Sequence, residues 1–280
     1  MIVLDSLRKS FGAITAVDDL SLSIEPGEVF GLLGPNGAGK STTIAMTVGL
    51  LRPDSGSVRI DGGDPIDPGV RARIGVAPQT LALYEDLSAR ENLMFFGSLY
   101  GLDRAARARR ADELLDLVGL TDRARDRVGK YSGGMKRRIN LACALVHDPV
   151  VVLLDEPTAG VDPQSRHAIF EIVRALQAEG RTIVYTTHYM EEAQKLCARV
   201  GVIDRGRLLA LDAVDGLIRA HGGESVVRIE RAAGEERTQT AEPVAVIQRA
   251  LAAGDALGIH VERPDLETVF LNLTGRSLRD

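Results

Sequence analysis

An apolar strand pattern, EVFGLL, runs without a break into GPNGAGKST, residues 34–42, and a helical pattern then continues from Lys40 to Leu50. This succession of buried strand, Gly-rich turn and helix is the strongest constraint the chain places on its own fold. The glycines let the backbone curl so that successive N–H groups face one point, which the positive end of the helix also faces. Gly34 to Ser41 fit G-x-x-x-x-G-K-[ST] at every position. The chemistry of such a loop is phosphate binding. Gly34, Pro35, Asn36, Gly37, Ala38 and Gly39 supply the cradle, and Lys40 reaches the β- and γ-phosphates. The Ser41 hydroxyl, with Thr42 following, completes the coordination of Mg²⁺. A nucleoside triphosphate is the expected ligand.

A second strand supplies the partner groups. VVVLLDEP delivers Asp155 at a C-terminal strand end, where open α/β sheets place their ligands. Asp155 is expected to support Mg²⁺, and Glu156, one step further, to polarise a water for attack on the γ-phosphate. TIVYTTH has a buried-strand pattern that ends on His188, at the same sheet edge as Lys40 and Asp155.

Around these motifs the element order is a β-rich start, a parallel α/β core and an all-helical insertion from Leu87 to Val146. Beyond Gly216 the pattern becomes hairpin, helix, strand and helix, a small α+β appendage with its boundary near Gly222-Gly223. The net charge of −5 argues against a nucleic-acid partner, which usually demands a basic domain or stripe. The cluster Arg104, Arg107, Arg109 and Arg110 reads as a solvated helix face. The longest fully apolar run, PVVVLL, is far below the ~18 residues that span a bilayer, so the chain is not expected to cross a membrane by itself. Cys143 and Cys197 sit on apolar helical patterns far apart and read as small buried hydrophobes in a reducing compartment.

YSGGM, residues 131–135, is a further feature with two readings. Ser132 before a helix is a natural N-cap, with glycines for a tight entry. The same glycine pair, Gly133 and Gly134, leaves backbone N–H groups open to an anion, but no lysine follows in phosphate-loop position.

With these motifs in this order, residues 1 to about 215 resemble the nucleotide-binding subunits of ATP-binding-cassette (ABC) transporters. GPNGAGKST resembles the Walker A motif, VVVLLDE the Walker B motif with its catalytic glutamate, and YSGGM the signature motif. Gln79 in GVAPQ resembles the Q-loop; Ala159, Gly160, Val161 and Asp162 the D-loop; and His188 the switch histidine. The resemblance implies an α/β fold: a P-loop NTPase (ABC ATPase) core with an N-terminal β-subdomain, a helical insertion and a small C-terminal α+β appendage. It implies that Phe11 stacks on adenine, that His188 contacts the γ-phosphate, and that Gln79 joins the Mg²⁺ and water environment. Two subunits would meet head to tail, with Ser132, Gly133, Gly134 and Met135 of one facing the Walker A loop of the other across sandwiched ATP. The signature departs from the family pattern at Met135, where glutamine is common. On this reading Gly134→Asp should leave ATP binding nearly intact and abolish hydrolysis.

EPTAGVDPQSR and DLETVFLNLTGRSLRD look like the ATPases of ABC-2-type exporters, the daunorubicin-resistance class among them. The expected organisation is a nucleotide-binding domain over residues 1–215, its helical subdomain about 87–146, and an accessory or regulatory region over 216–280. The expected function is an ATPase that energises a separate transmembrane permease from the cytoplasmic face of the membrane, as a dimer of two copies, with ATP and Mg²⁺ as cofactors and no nucleic acid. The alternative is a soluble ABC ATPase of non-transport machinery such as cluster assembly or repair. A permease helix would dock between Gln79 and the helical insertion, where Leu81, Leu83, Tyr84 and Leu87 either receive it or pack the insertion.

Overall fold

The computed structural model describes residues 1–275; the last five residues of DLETVFLNLTGRSLRD lie outside the described residues. The chain divides into two compact units, 1–211 and 212–280.

The first unit opens with β1 (Ile2–Phe11), β2 (Ile14–Ile24), β3 (Val29–Leu33), α1 (Lys40–Thr47) and β4 (Ser55–Ile60). It continues through α2 (Pro68–Arg71), β5 (Ile74–Ala77), α3 (Ala89–Leu99), α4 (Arg104–Leu117) and α5 (Gly133–Ala144). After these come β6 (Val151–Asp155), α6 (Pro163–Ala178), β7 (Thr182–Thr187), α7 (Met190–Leu196), β8 (Arg199–Asp204) and β9 (Arg207–Ala213), in which the division falls.

Two sheets form the core of this unit. One is antiparallel, in the order β2-β1-β4; the other has six strands in the order β5-β6-β7-β3-β8-β9. The pairs β5–β6, β6–β7, β7–β3 and β3–β8 are all parallel. Parallel strands covered on both faces must be apolar along their whole length, and every residue of β3 and β6 is buried. Ile2, Leu4, Leu7, Leu20 and Leu22 from the first sheet share a core with Phe30, Leu32, Val151, Leu153 and Val184 from the second, and with Ile44 and Met46 of α1.

Register is what assembles the site. Leu33 lies opposite Thr187, and Asp155 opposite Thr186. The residues that leave β3, β6 and β7, namely Gly34, Glu156 and His188, therefore emerge side by side at one sheet edge.

The helical insertion comprises α3, α4 and α5. α3 starts with a reciprocal capping box between Ser88 and Glu91, which satisfies two otherwise orphaned donors. Asp103 caps α4 by accepting from the Ala106 N–H at 2.8 Å.

The second unit contains α8 (Val214–His221), β10 (Ser225–Arg231), β11 (Gly234–Thr240), α9 (Pro243–Ala253), β12 (Ala256–Glu262) and α10 (Leu266–Thr274). Its antiparallel sheet runs β11-β10-β12. Val227 and Ile229 of β10 pack against Val246 and Ala250 of α9. α8 packs on α10, whose Leu266, Val269 and Phe270 are buried. The sequence pattern marks every element here except α8. Its Val214, Leu217 and Ile218 have helical spacing, but eight residues are too few for that pattern to announce a helix in the sequence.

Candidate active site

The phosphate loop is shaped by what lies beneath it. Gly39 has φ 103°, and a Cβ there would sit 2.4 Å from the Ala16 carbonyl oxygen, so only glycine lets the loop pass over β2. α1 then begins with no side-chain cap and no acidic residue in its first turn. Its first N–H groups and positive end are left for an anion. Lys40, 4% exposed, folds back over the loop and donates to the Gly34 carbonyl at 2.7 Å and the Pro35 carbonyl at 3.0 Å. Its ammonium also pairs with Glu156 Oε1 at 3.0 Å.

The loop forms one wall of a cleft of about 440 Å³ lined by Phe11, Ala16, Asn36, Gly37, Gly39, Lys40, Ser41, Thr42, Gln79 and Glu156. Phe11, at the end of β1, is 51% exposed, so its ring face is available to a planar ligand. Ala38 is buried beneath the loop. A larger hollow of about 620 Å³, bordered by Arg8, Asp18 and Arg207, has no glycine cradle, and its charges pair with one another.

Glu156 is the hub of the cleft. Its Oε1 meets Lys40, and its Oε2 accepts from Gln79 Nε2 at 3.2 Å. His188 Nδ1 lies 3.2 Å from the same Oε2, close but without the alignment of a directed hydrogen bond. The backbone of Glu156 is left-handed, φ 47°, a conformation that costs a non-glycine residue on the order of 1–3 kcal/mol. Thr186 holds it there, since the Glu156 N–H reaches both the Thr186 carbonyl and its Oγ1. Thr186 Oγ1 in turn donates to Asp155 Oδ1 at 2.6 Å.

Among the described residues no group of three or more His, Cys, Asp or Glu side chains is arranged to hold a metal ion. Mg²⁺ is usually held through one or two carboxylates, waters and substrate phosphates rather than by an all-protein cage. Ser41 and Asp155 offer the hard oxygen donors it prefers.

Gln79 and the segment after it are pinned from the helical insertion. Asn140 of α5 accepts from the Ala82 N–H and donates to the Pro78 carbonyl. Asn92 of α3, fully buried, accepts from the Tyr84 N–H and donates to the Tyr84 carbonyl. Arg137, also on α5, donates to the Gln79 carbonyl and, at 3.4 Å, to the Ala159 carbonyl. Burial lowers the Arg137 pKa, against the pull of the Glu156 and Asp155 carboxylates. Arg137 ties the Q-loop, the D-loop and the signature helix together. The sequence does not single it out, because its partners are backbone carbonyls.

None of Ser132, Gly133, Gly134 and Met135 lines the nucleotide cleft. Ser132 is the N-cap of α5, its Oγ accepting from the Met135 N–H at 3.2 Å. The two glycines differ. A Cβ on Gly133 would meet nothing within 4 Å, whereas one on Gly134 would lie 1.9 Å from Ser165 Oγ. Gly134 is glycine because α6 crosses there, and only Gly133 presents an open face. A side chain at Gly134 would collide with Ser165, so Gly134→Asp would also disturb the packing of α5 on α6. Asp162 of the D-loop caps α6, accepting from the Ser165 N–H at 2.8 Å and Oγ at 2.7 Å, and these bonds hold its carboxyl below the usual range. Gly160 is exposed, and Ala159 and Val161 are half-buried.

Burial of both cysteines raises their thiol pKa well above the ordinary value, so neither is a nucleophile. Among the described residues no helix is long and apolar enough to cross a membrane.

Residues 17–159 match the family model described as ABC transporter. The chain is 42% identical to the linearmycin resistance ATP-binding protein of Bacillus subtilis (strain 168), with each chain covered in full. It is 44% identical to the Nod factor export ATP-binding protein I of Paraburkholderia xenovorans (strain LB400), over 99% of this chain and 97% of that one. Among solved structures, an ATP-binding subunit of an ABC transporter superposes with TM-score 0.71 at 32% identity, covering 79% of this chain and 93% of that chain. A dimeric, post-hydrolysis ATP-binding cassette bound to ADP and Pi superposes with TM-score 0.70 at 28% identity, covering 76% and 98%. With the complete phosphate loop, the buried acid pair and the histidine at one sheet edge, the likeness extends from fold to chemistry, and the chain belongs to the ABC transporter family as an ATP-binding, ATP-hydrolysing member.

Proposed function

We propose that this chain is the ATPase subunit that drives a separate membrane permease of the ABC-2 exporter type, working at the cytoplasmic face of the membrane as a head-to-tail dimer of two copies. The observation that carries the reading is the convergence of Lys40, Gln79 and His188 on the Glu156 carboxylate beside the phosphate loop. The export assignment draws on full-length similarity to two relatives named for resistance and export. Nothing observed favours non-transport ABC machinery. Residues 1–215 are proposed as the nucleotide-binding domain, 87–146 as its helical subdomain and 216–280 as an accessory region.

In this reading the loop from Gly34 to Thr42 binds the phosphates and Phe11 stacks on adenine. Lys40 exchanges its Glu156 partner for the γ-phosphate. The carboxylate so released, still beside Gln79 and His188, accepts a proton from the attacking water as its oxygen bonds to the γ-phosphorus and the bond to ADP breaks. Ser41, Asp155 and Gln79 would hold Mg²⁺, whose chemistry there is to neutralise charge on the phosphates. The Gly133 face, with Ser132, Gly134 and Met135 around it and the D-loop Ala159–Asp162 beside it, serves the partner copy's nucleotide. One Lys-bearing loop and one Lys-free cradle per chain make two equivalent sites per dimer.

For the permease, an apolar groove of about 510 Å³ lies between core and insertion, lined by Val48, Leu50, Ile74, Val76 and Tyr100 among others. Leu50 is 73% exposed and Tyr100 45%. Of the residues proposed from sequence, Tyr84 packs edge-on against Phe95, with ring centroids 4.8 Å apart, and is 51% exposed.

The test is purification from membranes. A multi-spanning permease should co-purify and raise the ATPase rate, and Leu50→Asp should release it, with ATP binding measured in parallel as the folding control. Recovery of the native chain without a membrane partner would count against the reading. For the base site, Phe11→Ala should weaken ATP binding by about 1–3 kcal/mol. Inorganic triphosphate, which has no base, should bind both proteins equally. Calorimetric titration reads both, and unchanged ATP affinity would remove Phe11 from the site.

A further inference from the structure

A carboxylate is sealed inside the first unit without a part in the chemistry described so far. Glu192 of α7 is 1% exposed and does not line the nucleotide cleft. Its neighbour Glu191 points to solvent and pairs with Lys195 at 3.4 Å. A buried carboxylate is strongly unfavourable unless donors surround it, and here three hydroxyls do. Thr158 Oγ1 lies 2.8 Å from both Oε1 and Oε2, while Tyr185 and Thr187 donate to Oε2 at 3.0 and 2.9 Å. Arg166 Nε stands 3.3 Å from Oε1 as a charge contact, without the alignment of a hydrogen bond. Burial and the Glu192 charge push the Tyr185 phenol well above its ordinary pKa, so it stays a donor.

These partners come from the two segments that carry the hydrolytic groups and from α6, which follows the D-loop. Thr158 follows Glu156 by two residues and precedes the D-loop. Tyr185 and Thr187 share one face of β7, which ends just before His188, while Thr186 between them turns the other way to Asp155. Arg166 belongs to α6, which the D-loop Asp162 caps. The Arg166 guanidinium also lies over the Tyr189 ring, 5.0 Å from its centroid, and that ring meets the His188 ring at 4.0 Å. The Tyr189 N–H is fixed by Thr187 Oγ1 at 2.9 Å.

We propose that Glu192 is a positioning residue for ATP hydrolysis, its buried carboxylate locking the Glu156 turn, the His188 strand end and α6 into one rigid body. The proposal rests on the assignment of Glu156 and His188 to hydrolysis made above. It adds the group that holds them in mutual register. Neutralising Glu192 as an amide keeps its shape but turns a donor toward hydroxyls that now donate. It also releases Arg166, and with it the Tyr189 ring that backs His188.

The experiment compares Glu192→Gln with the native chain, each alone and in a His188→Ala background. Turnover, ATP affinity and melting temperature are measured for all four proteins. Glu192→Gln should lower kcat by about ten- to a hundredfold, the scale on which a misplaced catalytic group is felt, with ATP affinity changed less than about threefold. In the His188→Ala background the same substitution should cost at least about threefold less than in the native chain, because one of the two hydrolytic groups it positions is gone. Arg166→Gln, at a partly exposed site, should follow the same pattern and carries the test if Glu192→Gln does not fold. An unchanged kcat, or the same loss in both backgrounds, would overturn the positioning role while leaving the hydrolytic assignment standing. Native turnover in His188→Ala alone would overturn that assignment and the proposal with it.

Discussion

Glu156→Gln is expected to lower ATP turnover by about 10²- to 10⁴-fold, the usual contribution of a placed general base, and to tighten ATP binding at the same time. The first effect follows because an amide cannot take the water's proton. The second follows from the contact seen between Lys40 and Glu156, 3.0 Å apart with both groups buried. The γ-phosphate must win Lys40 from that carboxylate, and glutamine, without charge, competes poorly. An affinity gain of about tenfold is expected, since opening a buried ion pair is costly. Loss of turnover with retention of nucleotide should accumulate an ATP-bound dimer, visible by size-exclusion chromatography. Hydrolysis at the native rate would remove Glu156 from the base position. Unchanged affinity would mean that the ion pair does not compete with phosphate.

Gly133→Asp should abolish turnover while leaving the fold and ATP binding of each chain close to native. Its side chain enters open space, where on the proposed geometry it would face the partner's γ-phosphate and repel it. Loss of one preorganised phosphate contact of this kind costs about 10²- to 10³-fold. Gly134→Ala should instead destabilise the protein by about 1–3 kcal/mol through overpacking, because its Cβ would stand 1.9 Å from Ser165 Oγ. Ser165→Gly should relieve it, read from the melting temperature. The trans arrangement has its own test. Gly133→Asp and Lys40→Ala chains are each inactive alone, but a mixed dimer pairs an intact phosphate loop with an intact signature at one of its two sites. Equal mixing should restore about a quarter of native activity. No recovery on mixing would place the two motifs in the same site of one chain.

Much of the site was legible in the linear chain because its chemistry is local. A phosphate loop works through consecutive backbone N–H groups, so GPNGAGKST carries its geometry with it, and an apolar strand before an acid pair announces a strand end. Residues 34, 155 and 188 were legible as neighbours because parallel strands share one C-terminal edge, and the register of Leu33 with Thr187 and Asp155 with Thr186 makes that edge flush. The helix α8 was not legible, since its eight residues are too few for the spacing of Val214, Leu217 and Ile218 to stand out. Arg137 was not legible either, because its partners are backbone carbonyls, which have no sequence signature.

Two pairs of identical neighbours mark where the sequence stops. Gly133 and Gly134 stand together at a helix start, and Glu191 and Glu192 together in another first turn. Each pair reads as one feature. In a helix successive residues point about 100° apart, so each member of a pair meets a different environment. Gly133 faces open space while Gly134 packs on Ser165; Glu191 reaches solvent while Glu192 is enclosed by Thr158, Tyr185 and Thr187. The linear chain determined the phosphate loop, the acid pair, the histidine and the family. Only the packing of α5 on α6, and of α7 against β7, decided which glycine faces open space and which glutamate is sealed behind the proposed catalytic groups.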